Sequence, residues 1–86
     1  MDINSLNLIL KKKISENISC EEIIIEDKTY LHKKHKGHEK NKFHIKLIIK
    51  SNELLKMNRI ESTKKIYKIL DEELKYYIHS IEILLS

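Results

Sequence analysis

The residues of this 86-residue chain best suited to chemistry are its five histidines. His32, His35 and His38 stand among lysines and beside the only glycine, Gly37, while His44 and His79 lie further along. Neutral imidazole is a ligand for both iron and zinc, and a site needs at least two such rings brought together. The remaining inventory points away from catalysis. No Cys-x-x-Cys pair, phosphate-cradling glycine loop, dinucleotide fingerprint or serine-centred elbow occurs, so the reading is of a protein that is not an enzyme. Carboxylates such as Glu72 and Glu73 read as a solvated helix face.

The elements that must position these rings follow from periodicity. From Asp2 to about Glu16, Ile3, Leu6, Leu10 and Ile14 recur at spacings that form one helix face, with Asp2 or Asn4 as cap. The β-branched run Ile23, Ile24 and Ile25 prefers extended backbone, which predicts a strand within residues 20–27. Apolar residues nearly vanish from Lys28 to Lys42, so that stretch is expected to be a surface loop, and its length calls for a functional reason. Phe43, Ile45, Leu47 and Ile49 alternate with His44, Lys46, Ile48 and Lys50, which predicts a strand with one buried face. A short helical turn at Leu54 and Leu55 precedes a long helix. That helix begins after Asn58, which forms a capping-box layout with Glu61, and runs through Ile60, Ile66, Tyr67, Leu70, Leu74 and Ile78. Ile81, Ile83 and Leu85 then alternate in a closing strand. The order αββααβ in one domain, residues 1–86, predicts a layered α+β fold with a small sheet under two main helices and its other face open to water.

In that frame His79 sits at a rigid helix–strand junction, whereas His32, His35 and His38 sit on a loop able to swing towards it. A rigid ligand with a mobile one suits a site completed when a partner arrives. Plainer uses compete: His79 as a cation at the C-terminal end of its helix, the loop histidines as a solvated run, and His44 as a strand-opening residue bonded to the neighbouring loop. A zinc site from His32, His35, His38 and His79 is a further rival.

Composition narrows the class. With 41% hydrophobic and 35% charged residues, the chain reads as a soluble globular domain. The lone Cys20 cannot form an internal disulfide, so a reducing compartment is expected, and Lys11, Lys12 and Lys13 interrupt the one run that could open a signal peptide. No stretch approaches the roughly 20 apolar residues of a membrane span. The net charge of +4 is carried almost wholly by lysine, with Arg59 the single arginine, so it lacks the planar bidentate donors favoured for bases and phosphates. An AT-rich coding bias accounts for it equally well.

Several stretches together resemble the BolA family. Asp27-Lys28-Thr29-Tyr30-Leu31-His32 resembles its Asp-Glu-Ser-x-x-His, and His35-Lys36-Gly37-His38 its histidine- and glycine-rich loop. His44-Ile45-Lys46 stands where the family carries His-Phe-x-Val, and Ser51 where that strand ends in serine. Ile60, Ile66-Tyr67 and Leu70 followed by Asp71-Glu72-Glu73-Leu74 resemble Val-x-Arg-His-Arg-x-Val-Tyr-x-x-Leu and a Glu-Glu-Leu stretch. Ile78-His79-Ser80-Ile81 is similar to the family's Val-His-Ala-Leu. Two stretches depart from the pattern. Ser62, Thr63 and Lys64 replace the Arg-His-Arg, and Leu54, Lys56 and Asn58 replace a Phe-x-Gly-x-Ser lead-in, both within an element described as helix-turn-helix-like.

The resemblance implies a three-stranded mixed sheet with a class II KH-like topology, and an adaptor in iron–sulfur cluster assembly, trafficking or iron regulation, with a link to stress response. Its partner would be a monothiol Cys-Gly-Phe-Ser glutaredoxin, with which it would co-ligate a [2Fe–2S] cluster, the glutaredoxin and its glutathione supplying thiolates. No cofactor is expected in the isolated protein. The implied ligands are His79 and His32, with His35 and then His38 as alternative loop ligands. A bacterial cytoplasmic or mitochondrial-matrix protein is expected, not secreted or membrane-bound, and monomeric alone or else a homodimer. The alternative is a nucleic-acid-binding KH-like transcriptional regulator. Against it, a KH domain clamps the backbone with a Gly-x-x-Gly loop between two consecutive helices, and residues 52–59 contain no glycine.

Overall fold

The computed structural model describes residues 1–29 and 42–86. The loop histidines His32, His35 and His38 lie outside the described residues. Helix α1 (Ile3–Asn17) opens at Asp2, whose carboxylate accepts the Ser5 amide at 2.7 Å, so the first of the two expected caps is the one used. Leu6, Leu10 and Ile14 recur every four residues along it and are fully buried. Strand β1 (Glu22–Asp27) pairs antiparallel with β2 (Phe43–Lys50), and β2 pairs in parallel with β3 (Ile78–Leu85). The sheet is therefore mixed, with β2 in the middle. Between β2 and β3 run α2 (Asn52–Leu55), α3 (Arg59–Ile69) and α4 (Asp71–Tyr76).

The core forms where one face of β2 meets the helices. Ile45, Leu47 and Ile49 pack with Leu6, Leu10 and Ile14 of α1, joined by Leu54, Ile66 and Leu70. Residues on the opposite pleat, His44, Lys46 and Ile48, lie on the other face of β2. Across the strands of that face, Glu26, Lys46 and Glu82 form one row and Ile24, Ile48 and Leu84 the next.

The long helix expected from Asn58 to Ile78 is broken. It starts as expected: Asn58 Oδ1 accepts the Glu61 amide, and Asn58 Nδ2 donates to Glu61 Oε1, both at 2.8 Å. At Leu70 the backbone leaves the helix, with φ −100° and ψ 17°, and restarts as α4. The three acids that follow, Asp71, Glu72 and Glu73, favour a new N-terminus through the helix dipole. The break turns Glu73 inwards. Its carboxylate, 5% exposed, accepts both bonds of Lys13 Nζ at 2.7 and 2.9 Å, tying α4 to α1. Glu73 is thus a buried structural anion, contrary to the solvated-face reading. Ile60 also departs from expectation at 68% exposed. It lies six residues from Ile66, which at 100° per residue puts it on another face, and Ser62 fills the buried position instead.

Candidate functional site

The histidine-bearing end of the sheet is built from the end of β1 and the starts of β2 and β3. Asp27 closes a side-chain turn after β1: its carboxylate accepts the Thr29 amide at 2.9 Å and the Thr29 hydroxyl. Thr29 Oγ1 in turn accepts the His44 backbone amide at 3.1 Å, and Lys28 donates its amide to the His44 carbonyl at 2.7 Å. The Asp-x-Thr sequence therefore pins one stem of the 30–41 segment to β2. The other stem is held by the Phe43 amide, which donates to Tyr77 O at 2.9 Å.

The register between β2 and β3 slips here. Phe43 pairs with Ile78, but His44 pairs with Ser80. His79 is the extra residue, set without a β2 partner in a bulge, a device that re-aims a side chain and recurs beside functional sites. His44, only 7% exposed, has its Nδ1 hydrogen-bonded to Ser80 Oγ at 2.6 Å. The His79 ring stacks on that of His44, with centroids 4.9 Å apart and planes 25° apart. His79 itself is exposed. It borders an open hollow of about 400 Å³ shared with Asp71 and Lys75 of α4, while His44 lines a second of about 260 Å³ with Lys28 and Glu82.

Each expected site residue can now be located. His79 belongs to β3, as its second residue, and α4 ends at Tyr76 with Tyr77 as cap, so the helix-capping use of His79 falls away. His44 is bonded to Ser80 as well as to the loop stem, a partnership that sequence reading missed because it crosses 36 positions. Cys20 lies at the far end of the sheet, where Glu21 bonds to Lys50. Its thiol donates to Ile18 O at 3.2 Å, and burial, then the Glu53 charge, pushes its pKa up, which suppresses the thiolate. A groove of about 710 Å³ runs between β3 and the α2–α3 region; it is mainly aliphatic and its lining carries no histidine or cysteine.

The donor set can be tested against the expected metal groups. Among the described residues, no cluster of three or more histidine, cysteine or acidic side chains is placed to hold an ion. Of the zinc set His32, His35, His38 and His79, only His79 lies among the described residues. One exposed imidazole beside the residues that flank the histidine-bearing 30–41 segment suits a centre that takes further ligands from another molecule. Among the described residues, no helix is long and apolar enough to cross a membrane.

Comparison with known proteins agrees with this architecture. The model of the family described as BolA-like protein matches residues 14–86. The chain is 29% identical over 77 residues to a Haemophilus influenzae protein named DNA-binding transcriptional regulator BolA, covering 90% of this chain and 72% of that one. The BolA domain of SufE1 from Arabidopsis thaliana superposes with a TM-score of 0.77 at 23% identity, over 100% of this chain and 93% of that one. BolA1 from Arabidopsis thaliana gives 0.72 at 26% identity, over 90% and 85%. With a family match over most of its length and the same helix-and-mixed-sheet architecture, the chain belongs to the BolA-like family.

Proposed function

We propose that this BolA-like protein is an adaptor that pairs with a monothiol glutaredoxin and co-ligates a [2Fe–2S] cluster through His79 and a histidine of the 30–41 segment. The observation that carries the reading is the exposed His79, bulged out of β3 beside both stems of that segment. His32 follows the pinned Thr29 by three residues, and a chain extends at most about 3.6 Å per residue, so its tether is no longer than roughly 11 Å. His35 and His38 are the alternative second ligands. Two imidazoles in place of two thiolates raise the reduction potential of a [2Fe–2S] centre and leave the partner and its glutathione to supply the sulfur ligands. This chain's part is to hold His79 in place, to offer a second histidine from the 30–41 segment, and to keep its thiol, Cys20, away at the other end of the sheet.

The test is to reconstitute the protein with a Cys-Gly-Phe-Ser glutaredoxin, iron, sulfide and glutathione, and to compare visible circular dichroism with that of the glutaredoxin alone. A distinct mixed-cluster spectrum that disappears in His79→Ala is expected. An unchanged spectrum in that variant overturns the ligand assignment.

A second reading, a nucleic-acid-binding regulator, is motivated by the name of the Haemophilus influenzae relative and by exposed Arg59, Lys64 and Lys68 along α3. Opposing it, the position of the first arginine in the family's Arg-His-Arg is here a buried serine, Ser62. Oligonucleotide titrations at two salt concentrations decide between them: binding that survives at about 200 mM salt and depends on sequence supports this reading, whereas loss on the scale of phosphate-only contacts opposes it.

A further inference from the structure

We infer that His44, locked by Ser80, is a positioning residue that aims the His79 imidazole outwards from the bulge in β3; this rests on the reading of His79 as a ligand. A histidine in a surface-exposed bulge has its staggered rotamers open to it, and a ring that samples them presents a ligand nitrogen only part of the time. The surroundings of His79 remove that freedom. On one side its ring lies against the His44 ring at 4.9 Å and 25°. The His44 ring cannot turn away easily: it is buried, its Nδ1 is bonded to Ser80 Oγ at 2.6 Å, and its backbone is fixed by Thr29 and by pairing with Ser80.

The bulge makes this arrangement possible. In an unbroken ladder, neighbours on a strand point to opposite faces, so His79 and Ser80 could not both meet His44. The slipped register pairs Ser80 with His44 and leaves His79 as the spare residue, and both then contact one imidazole. Ligating histidines elsewhere are held by the groups around them, and loss of such support commonly weakens metal affinity by about 10–100-fold. In this chain the support comes from a stacked ring and a hydroxyl instead of a carboxylate.

Three variants separate the parts: His44→Ala removes both stack and bond, His44→Phe keeps a flat ring without the bond, and Ser80→Ala removes only the bond. The first readout is the set of His79 ring proton resonances in the free protein, which the His44 ring current displaces. A marked change is expected in His44→Ala and smaller ones in His44→Phe and Ser80→Ala, with backbone spectra confirming the fold. The second is the decay of the mixed-cluster dichroism under a chelator in the glutaredoxin complex, expected to be about 10-fold faster in His44→Ala and partly restored in His44→Phe. Unmoved His79 resonances in folded His44→Ala overturn the stack. If His44→Ala fails to fold, Ser80→Ala and His44→Phe decide, and wild-type resonances and decay in both overturn the proposal. Moved resonances with wild-type decay overturn the positioning role while His79→Ala still abolishes the spectrum. A wild-type spectrum in His79→Ala instead sinks the ligand reading itself.

Discussion

The two ends of the three-stranded sheet treat their polar side chains differently. At the end where β1 starts and β2 finishes, polar groups are consumed inside the chain. Ser51, 1% exposed, caps α2 by accepting the Leu54 amide at 3.2 Å and donates to Ser19 O at 2.7 Å. Glu53 accepts the Ser19 amide at 3.1 Å and Lys65 Nζ at 2.7 Å. At the other end, Asp27, Thr29, His44 and Ser80 also bond to one another, yet the network finishes on an exposed imidazole, that of His79. The first pattern stabilises a fold, and the second holds a side chain out to solvent. Groups that end on each other account for stability; a group held in place but left exposed is where an incoming molecule would bind.

Stability measurements can sharpen that contrast. The largest loss is expected away from both ends, at the α1–α4 tie. Glu73→Ala leaves Lys13 only the exposed Glu72 carboxylate, 3.8 Å away, and should cost about 2–3 kcal/mol, below the 3–5 kcal/mol of a fully buried pair because Lys13 is 34% exposed. In a domain of this size that lowers Tm by roughly 10–20 °C in a calorimetric scan.

Ser51→Ala is next. It removes a helix cap and leaves the Ser19 carbonyl without that donor, for about 1–2 kcal/mol in urea unfolding. The same end should respond to acid. The Lys65 bond, with the Ser19 amide, holds the Glu53 carboxyl below the usual carboxylate range. A lowered folded value contributes stability that is present above the ordinary carboxylate pKa and lost as pH falls through the folded value. Unfolding midpoints of wild type and Glu53→Gln, plotted against pH, should therefore converge on acidification. On the alkaline side the sign reverses at Lys13, whose pKa the Glu73 hydrogen bond raises: its contribution holds at neutral pH and is lost as pH rises through that raised value.

His79→Ala should change stability least, within about 0.5 kcal/mol, as befits an exposed residue outside the core. A loss above 2 kcal/mol would class His79 with Ser51 and Glu73 and erase the distinction between the two ends.

Local patterns in the sequence carried much of this fold. The alternation from Phe43 to Lys50, the four-residue spacing of Leu6, Leu10 and Ile14, and the Asn58–Glu61 cap each depend on neighbours within a few positions, and each holds in the structure. What stayed hidden depends on long-range contacts. Leu74 follows Leu70 by four residues, so periodicity reads straight through a helix that in fact breaks to bring Glu73 to Lys13, 60 positions away. The bulge at His79 exists only relative to β2, and a slip of register leaves no trace in the spacing of β3 alone. His44 was legible as a strand residue on the polar pleat, but not as the ring beneath His79. The family likeness located the ligand candidate without explaining how it is held.

The most direct test of the central claim is an amide and histidine-ring chemical-shift titration with a cluster-loaded Cys-Gly-Phe-Ser glutaredoxin. The account predicts that signals of Lys28, Thr29, His44, His79 and Ser80 shift or broaden first, while those of Cys20, Ser51 and Glu53 stay in place. Perturbations centred on Ser51 and Glu53, or along α3 with His79 unmoved, would contradict it.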